Sequence, residues 1–225
     1  MSVVSAVIPA WMEGARVADA VRAARAVADE VIVSDGGSTD GTAERARDAG
    51  ARVVTAPKGR GPQLHAGAMA AAGDVLLFLH ADVALERGAR GAIDRALTDP
   101  AVVGGNFFLR FEPDVGWARV FTVANDLRRR ALRIYYGDSA LFVRRAVYHA
   151  LGGFRALPIM EDYEFIRRLE RAGRTAYLRD VAARASARRF ERRPLRTLAV
   201  WAAVQSLYSL GAPPARLARL YEDAR

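Results

Sequence analysis

Cysteine is absent from this 225-residue chain and lysine nearly so, Lys58 being the only one. Without thiols there is no disulfide framework and no cysteine-ligated metal. Any bound metal must take carboxylate, imidazole or phosphate oxygen ligands, which points to hard ions such as magnesium or manganese. A long unbroken apolar run is missing too. The most hydrophobic late stretch, Leu195 to Pro213, contains Gln205 and ends in Gly211, Pro213 and Pro214, too polar and interrupted for a membrane span. Met1 to Pro9 lacks the basic region and apolar core of a signal peptide, so the expected location is cytoplasmic. Internal repeats are not apparent.

What is present is arginine. The net charge is +9, and guanidinium groups suit bidentate contacts with phosphate or carboxylate. Duplex nucleic acid, nucleoside diphosphates and an anionic membrane would each satisfy that charge, and general arginine-for-lysine usage is the plainer explanation. With 52% hydrophobic residues the chain can bury one sizeable core. The expected organisation is a single domain with a C-terminal extension.

The first hundred residues alternate regularly. Strands are expected at Val3 to Ile8, Val31 to Ser34, Arg52 to Thr55 and Val75 to Leu79, with helices at Ala15 to Ala28, Ala43 to Ala49, Gln63 to Ala72 and about Glu86 to Leu97. Strand, helix, strand at this spacing is the signature of right-handed βαβ units in a parallel sheet, so the turns after the strands share one edge. Glu13, Asp35 and Lys58 should converge there. Beyond residue 100 the pattern changes. A longer strand at Val102 to Phe111 precedes a helix over Asp114 to Arg133, whose Arg128-Arg129-Arg130 run reads as a solvated face. A loop at Tyr135 to Ser139, a short strand at Ala140 to Val143, a helix from Asp162 to Ala172 and a last strand at Thr175 to Leu178 follow, then a basic loop or edge strand from Ala185 to Phe190.

Three acidic sites carry the chemistry. Asp35-Gly36-Gly37 follows the second strand, where a carboxylate can accept hydrogen bonds from a base or ribose while glycines admit the ligand to the backbone. His80-Ala81-Asp82 ends the most apolar strand, and residues i and i+2 of an extended segment point to the same side, so both could face a diphosphate-bound cation. Glu161-Asp162 opens a helix after a Gly- and Pro-containing loop, where a carboxylate could activate an acceptor hydroxyl or simply favour the helix N-terminus. Lys58, Arg60, Arg188 and Arg189 are candidate phosphate clamps, and Asn106 and Asp138 could contact sugar hydroxyls or serve as turn and strand-end residues.

Taken in order, Ser5 to Ala10 with Glu13, Val31 to Thr42, Gly73 to Asp82, Gly152-Gly153-Phe154 and Pro158 to Phe165 resemble the family 2 glycosyltransferases. The His-Ala-Asp form and the Pro-Ile-Met-Glu-Asp string are similar to a short bacterial subgroup, some members of which are labelled arsenosugar-type glycosyltransferases. The resemblance implies an α/β GT-A fold, a mostly parallel central sheet flanked by helices with a helical C-terminal extension: one domain over residues 1–190, divided into a nucleotide-binding half (1–100) and an acceptor and catalytic-base half (101–190), and a basic helical extension at 191–225. It further implies inverting transfer of a sugar from a nucleoside diphosphate sugar to a hydroxyl on a small or lipid-linked acceptor, with Mg²⁺ or Mn²⁺. Glu13 and Asp35 would bind nucleobase and ribose, with Pro9, Gly37, Lys58, Arg60 and Ala81 around the nucleotide. Asp82, with His80, would hold the metal, Arg188 and Arg189 the diphosphate, and Asp162 would be the base, with Glu161, Asn106 and Asp138 near acceptor or sugar. His80 stands where the family's first metal-motif aspartate is usual, and Met12 where an asparagine often precedes the acidic residue.

Two rivals make different predictions. A sugar nucleotidyltransferase would need a Gly-rich loop after the first strand, where Pro9-Ala10-Trp11-Met12-Glu13 stands instead. A non-enzymatic nucleic-acid or membrane module would explain the charge, yet three strand-end carboxylates repel a phosphate backbone, so no nucleic-acid partner is expected. Arg192-Arg193 and the aromatic helix after Pro194 could meet the inner face of an anionic membrane, or pack on the domain or on a second copy as a homodimer.

Overall fold

The computed structural model describes residues 2–187 and 194–222. Its strands are β1 (Val4–Ala10), β2 (Glu30–Asp35), β3 (Arg52–Thr55), β4 (Val75–Phe78), β5 (Val83–Leu85), β6 (Val102–Glu112), β7 (Leu141–Arg144) and β8 (Arg174–Ser186). Between and after them run α1 (Val17–Arg25), α2 (Thr42–Asp48), α3 (Arg60–Ala70), α4 (Ala89–Ala96), α5 (Gly116–Leu132), α6 (Arg145–Ala150), α7 (Glu161–Ala172), α8 (Pro194–Ser209) and α9 (Pro214–Glu222). A single 3-10 turn, Gly137–Ser139, lies within the segment expected to be a loop.

The strands form one eight-stranded sheet in the order β3-β2-β1-β4-β7-β6-β8-β5. β1 to β4 are mutually parallel, β6 and β8 are parallel to each other, and β7 and β5 run antiparallel to their neighbours, so the sheet is mixed with a mostly parallel body. Period-two alternation feeds two core layers. Val4, Ala6 and Ile8 of β1 and Val75 and Leu77 of β4 enter one layer, while Val7, Leu76 and Phe78 enter the other. Strands buried on both faces need helices on both sides, which the βαβ crossovers supply.

β5 is the element absent from the sequence reading. It follows Asp82 directly, yet pairs with Ala183–Ala185 at the far edge of the sheet, so β8 must curl back over the end of β4. The expected last strand at Thr175 to Leu178 is accordingly the first part of a 13-residue strand that ends at Ser186, and the expected basic edge segment begins inside it. α3 starts at Arg60, three residues earlier than expected; Pro62 is accommodated because the first-turn N–H groups of a helix have no intrahelical acceptor to lose. That places Arg60 on a helix instead of in a loop.

A further correction concerns the Arg128-Arg129-Arg130 run. Arg129 is buried, not solvated: its Nε donates to Asn106 Oδ1 at 2.8 Å, it pairs with Glu170, and it lies between the rings of Tyr135 and Tyr177. The C-terminal helices also close on the domain. Val204 and Leu217 are buried with Ile159, Met160 and Tyr163, and Trp201 meets Phe121 edge-on at 5.6 Å.

Candidate active site

Three loops at the ends of β1, β2 and β3 do converge. Met12 N–H donates to Ser38 Oγ at 2.8 Å, Glu13 N–H to Thr42 Oγ1 at 2.9 Å and Gly14 N–H to Asp40 Oδ2 at 2.8 Å, stitching the loop after β1 to the start of α2. Lys58 places its ammonium 3.3 Å from the ring centre of Trp11, which joins the third loop to the first. Gln63 holds all three from beneath. Its buried amide donates to the carbonyls of Ala10 and Ser34 and accepts from Gly59 N–H. Sequence reasoning used Gln63 only as the start of a helix, and its partners are set by the fold.

Asp35 ends β2, 5% exposed. One oxygen, Oδ2, accepts from the N–H groups of Gly37 and Ser38 at 3.1 and 3.0 Å, while Oδ1 is buried and makes no hydrogen bond among the described residues. An acceptor held ready in this way is what a ligand N–H or hydroxyl requires. Glu13 differs: its side chain is turned toward Arg16 at 3.6 Å. Pro9, on β1, pairs in register with Ser34 beside Asp35.

The second half of the site is a cavity of about 130 Å³. His80 and Asp82, from the segment after β4, share its wall with Asp138 from the 3-10 turn, Asp162 from α7, and Asn125 and Arg128 from α5. Trp201 and Val204 of α8 and Tyr221 of α9 complete it, so the C-terminal helices form part of the site. Asp162 sits in the first turn of α7. Its Oδ2 accepts from Gly137 N–H at 2.9 Å and its Oδ1 from Tyr163 N–H at 2.7 Å, leaving each oxygen a further acceptor position. A side chain on Gly137 would meet His80 Nε2 and Asp162 Oδ2 alike, so these two groups border the same small space.

Glu161 and Arg60 are bound to each other by an ion pair. Burial pushes the Glu161 carboxyl above the ordinary carboxylate range, Arg60 works against this, and Asp162 adds to it. Arg60 still reaches the cavity wall, but its contact is with the carboxylate next to Asp162. Asn106 is fully engaged: its amide donates to Phe107 O and Ser139 Oγ and accepts from Arg129. Glu13, Asp35, Gly37, Lys58 and Ala81 are not among the residues lining the cavity, and Arg188 and Arg189 lie outside the described residues.

Among the described residues no three His, Asp or Glu side chains cluster as a protein-only metal cage. His80 and Asp82 share one cavity wall, where they would suit a cation as two protein donors, with diphosphate oxygens and water to supply the rest, as is usual for magnesium beside a phosphate substrate.

A mostly parallel sheet that curls at one end, a carboxylate at the end of β2 among the loops after β1 to β3, and a cavity with carboxylates beside them define a GT-A type glycosyltransferase fold. Within it the chain belongs to glycosyl transferase family 2, whose model matches residues 5–157. Glucosyl-3-phosphoglycerate synthase from Mycobacterium tuberculosis, solved with Mn²⁺, uridine-diphosphate-glucose and phosphoglyceric acid, is 22% identical with a TM-score of 0.60, over 94% of this chain and 81% of that one. The same enzyme with Mg²⁺ and uridine diphosphate is matched at 21% identity and a TM-score of 0.58, over 94% and 80%. A mycobacterial protein is 24% identical with a TM-score of 0.56 over 82% of this chain, which spans 65% of that protein's length. At these identities the likeness is one of fold. No curated protein matches the chain, so the narrower subgroup resemblance rests on the motif strings alone.

Proposed function

We propose that the chain transfers a sugar from a nucleoside diphosphate sugar to an acceptor hydroxyl with inversion at the anomeric carbon. The observation that carries this reading is the convergence of His80, Asp82 and Asp162, from two distant parts of the chain, on one cavity. Asp162 is the base: it takes the hydroxyl proton as the oxygen attacks the anomeric carbon, while the bond from that carbon to the diphosphate breaks and its electron pair leaves with the nucleoside diphosphate. Asp35 supports the nucleoside with its unengaged Oδ1, and Glu13, Gly37 and Lys58 border the same loops. His80 and Asp82 would hold the divalent cation, which supplies charge stabilisation to the departing diphosphate. Arg60 has a positioning role through Glu161.

UDP-glucose with Mn²⁺ is the first donor to test, since the structural relative was solved with both. Phosphoglyceric acid, also present there, is a reasonable first acceptor because the buried Nε of Arg128, on the cavity wall, makes no hydrogen bond among the described residues. A binding screen of uridine and guanosine diphosphate sugars with and without Mn²⁺ should find a donor. Asp162→Asn should then lower kcat by about 10² to 10⁴-fold, the usual contribution of a general base, with donor affinity retained. Failure of every nucleotide sugar to bind would overturn the activity; full transfer by the variant would overturn only the base assignment.

A further inference from the structure

α5 carries apolar residues on its outer side as well as on its inner one, where Ala118 and Phe121 join the core. Its polar residues Asn125 and Arg128 face the cavity and Arg129 is buried, whereas Trp117, Val120, Val123 and Leu127 are 44–56% exposed. These four recur every three or four residues, so they form one stripe along the outer side of the helix. In a chain whose core is otherwise filled, four large apolar side chains in a row on the surface mark something that covers them.

The charges around the stripe choose its occupant. Asp126 is the only acidic residue in α5, and it is largely covered and shared among Tyr177, Arg179 and Arg130. The exposed charges on the helix are Arg119 and Arg130; Glu112 and Asp114 are exposed just before it, but Arg133 after it and the neighbouring Arg179 and Arg184 keep the balance around the stripe positive, as it is for the whole chain at +9. A second copy would bring like charge against like charge, whereas a surface of anionic lipid headgroups offers an apolar boundary for the stripe and negative charge for its flanks. A tryptophan at one end of the stripe suits that interface, where its ring is amphipathic.

We infer that α5 docks the protein on an anionic bilayer surface, with the opposite side of the same helix lining the cavity. From the sequence, α8 is a candidate for such a contact as well as for packing on the domain or a second copy. There, however, Trp201 and Val204 are turned to the domain, and the exposed Leu195, Leu198 and Leu207 are spread over both ends of the helix. No helix among the described residues is long and apolar enough to cross a membrane, so the contact is peripheral.

The test is cosedimentation of the full chain with vesicles of phosphatidylcholine alone and with about one third phosphatidylglycerol, the lipid negative charge being the variable. Binding to the anionic vesicles only, reduced at high salt, is expected. The triple variant Val120→Gln, Val123→Gln, Leu127→Gln should bind at least about tenfold more weakly while keeping its thermal midpoint and its nucleotide affinity, since the three residues touch neither core nor cavity. Unchanged vesicle binding by the triple variant would overturn the proposal. So would an unbound wild type that elutes as a dimer and becomes monomeric on the triple substitution, which would assign the stripe to a second copy.

Discussion

Gly137 is a glycine for reasons of space. A Cβ there would lie 2.8 Å from His80 Nε2 and 3.3 Å from Asp162 Oδ2, and its N–H is already committed to that same carboxylate. Gly137→Ala should therefore push His80 and Asp162 apart. Transfer activity is expected to fall by about tenfold or more, with a stability cost of about 1–3 kcal/mol from overpacking. Steady-state kinetics alongside thermal melts would separate the two effects; a variant that melts early but turns over normally would show that the spacing of the pair is not critical. Nothing in the letters Tyr-Gly-Asp-Ser reveals this, because the crowding comes from residues 57 positions before and 25 after.

Among the elements, α5 makes the least sense from its sequence and the most from its surroundings. Three consecutive arginines read as solvent-facing, but a helical step of 100° sends neighbours to different sides. Arg128 goes to the cavity and lies over Tyr136 at 4.7 Å, Arg129 goes to the interior, and Arg130 stays outside. The buried member links α5 to β6 through Asn106, to β8 through Thr175 and to α7 through Glu170. Arg129→Met should destabilise by about 3 kcal/mol, the low end for breaking a buried pair, because Arg133 still faces Glu170. Urea unfolding measures it. A loss below about 1 kcal/mol would mean that apolar packing replaces the network.

For the molecule as a whole, the helices after residue 193 are not an appendage. Tyr136 donates to Gln205 of α8, Tyr163 packs edge-on against Tyr208 at 5.9 Å, and Val204, Trp201 and Tyr221 wall the cavity that contains Asp162. The site is thus closed by the last thirty or so residues, while the loops around Asp35 are assembled without them. Val204→Asp should place a charge among Ile159, Met160 and Tyr163 and pry α8 away, at a cost of about 3 kcal/mol or more. Transfer should be lost while nucleotide binding, measured by calorimetry, persists. Loss of nucleotide binding as well would show that the two halves of the site are more tightly coupled than this packing suggests.

The first hundred residues of this protein are legible in their letters. Apolar runs of four to six residues, separated by helix-period segments, specify parallel strands, and a carboxylate after such a run must emerge at the sheet edge, so the letters alone place Asp35 and Asp82 there. Local pattern could not reveal β5, the 13-residue length of β8, the Gln63 staple or the Arg60–Glu161 pair. Each depends on a partner far away in the chain, and residue order carries no distance across a fold. Asp162 belongs to both categories: its letter at the start of a helix suggested chemistry, but only the curling of the sheet and the return of α8 and α9 enclosed it in one cavity with His80 and Asp82.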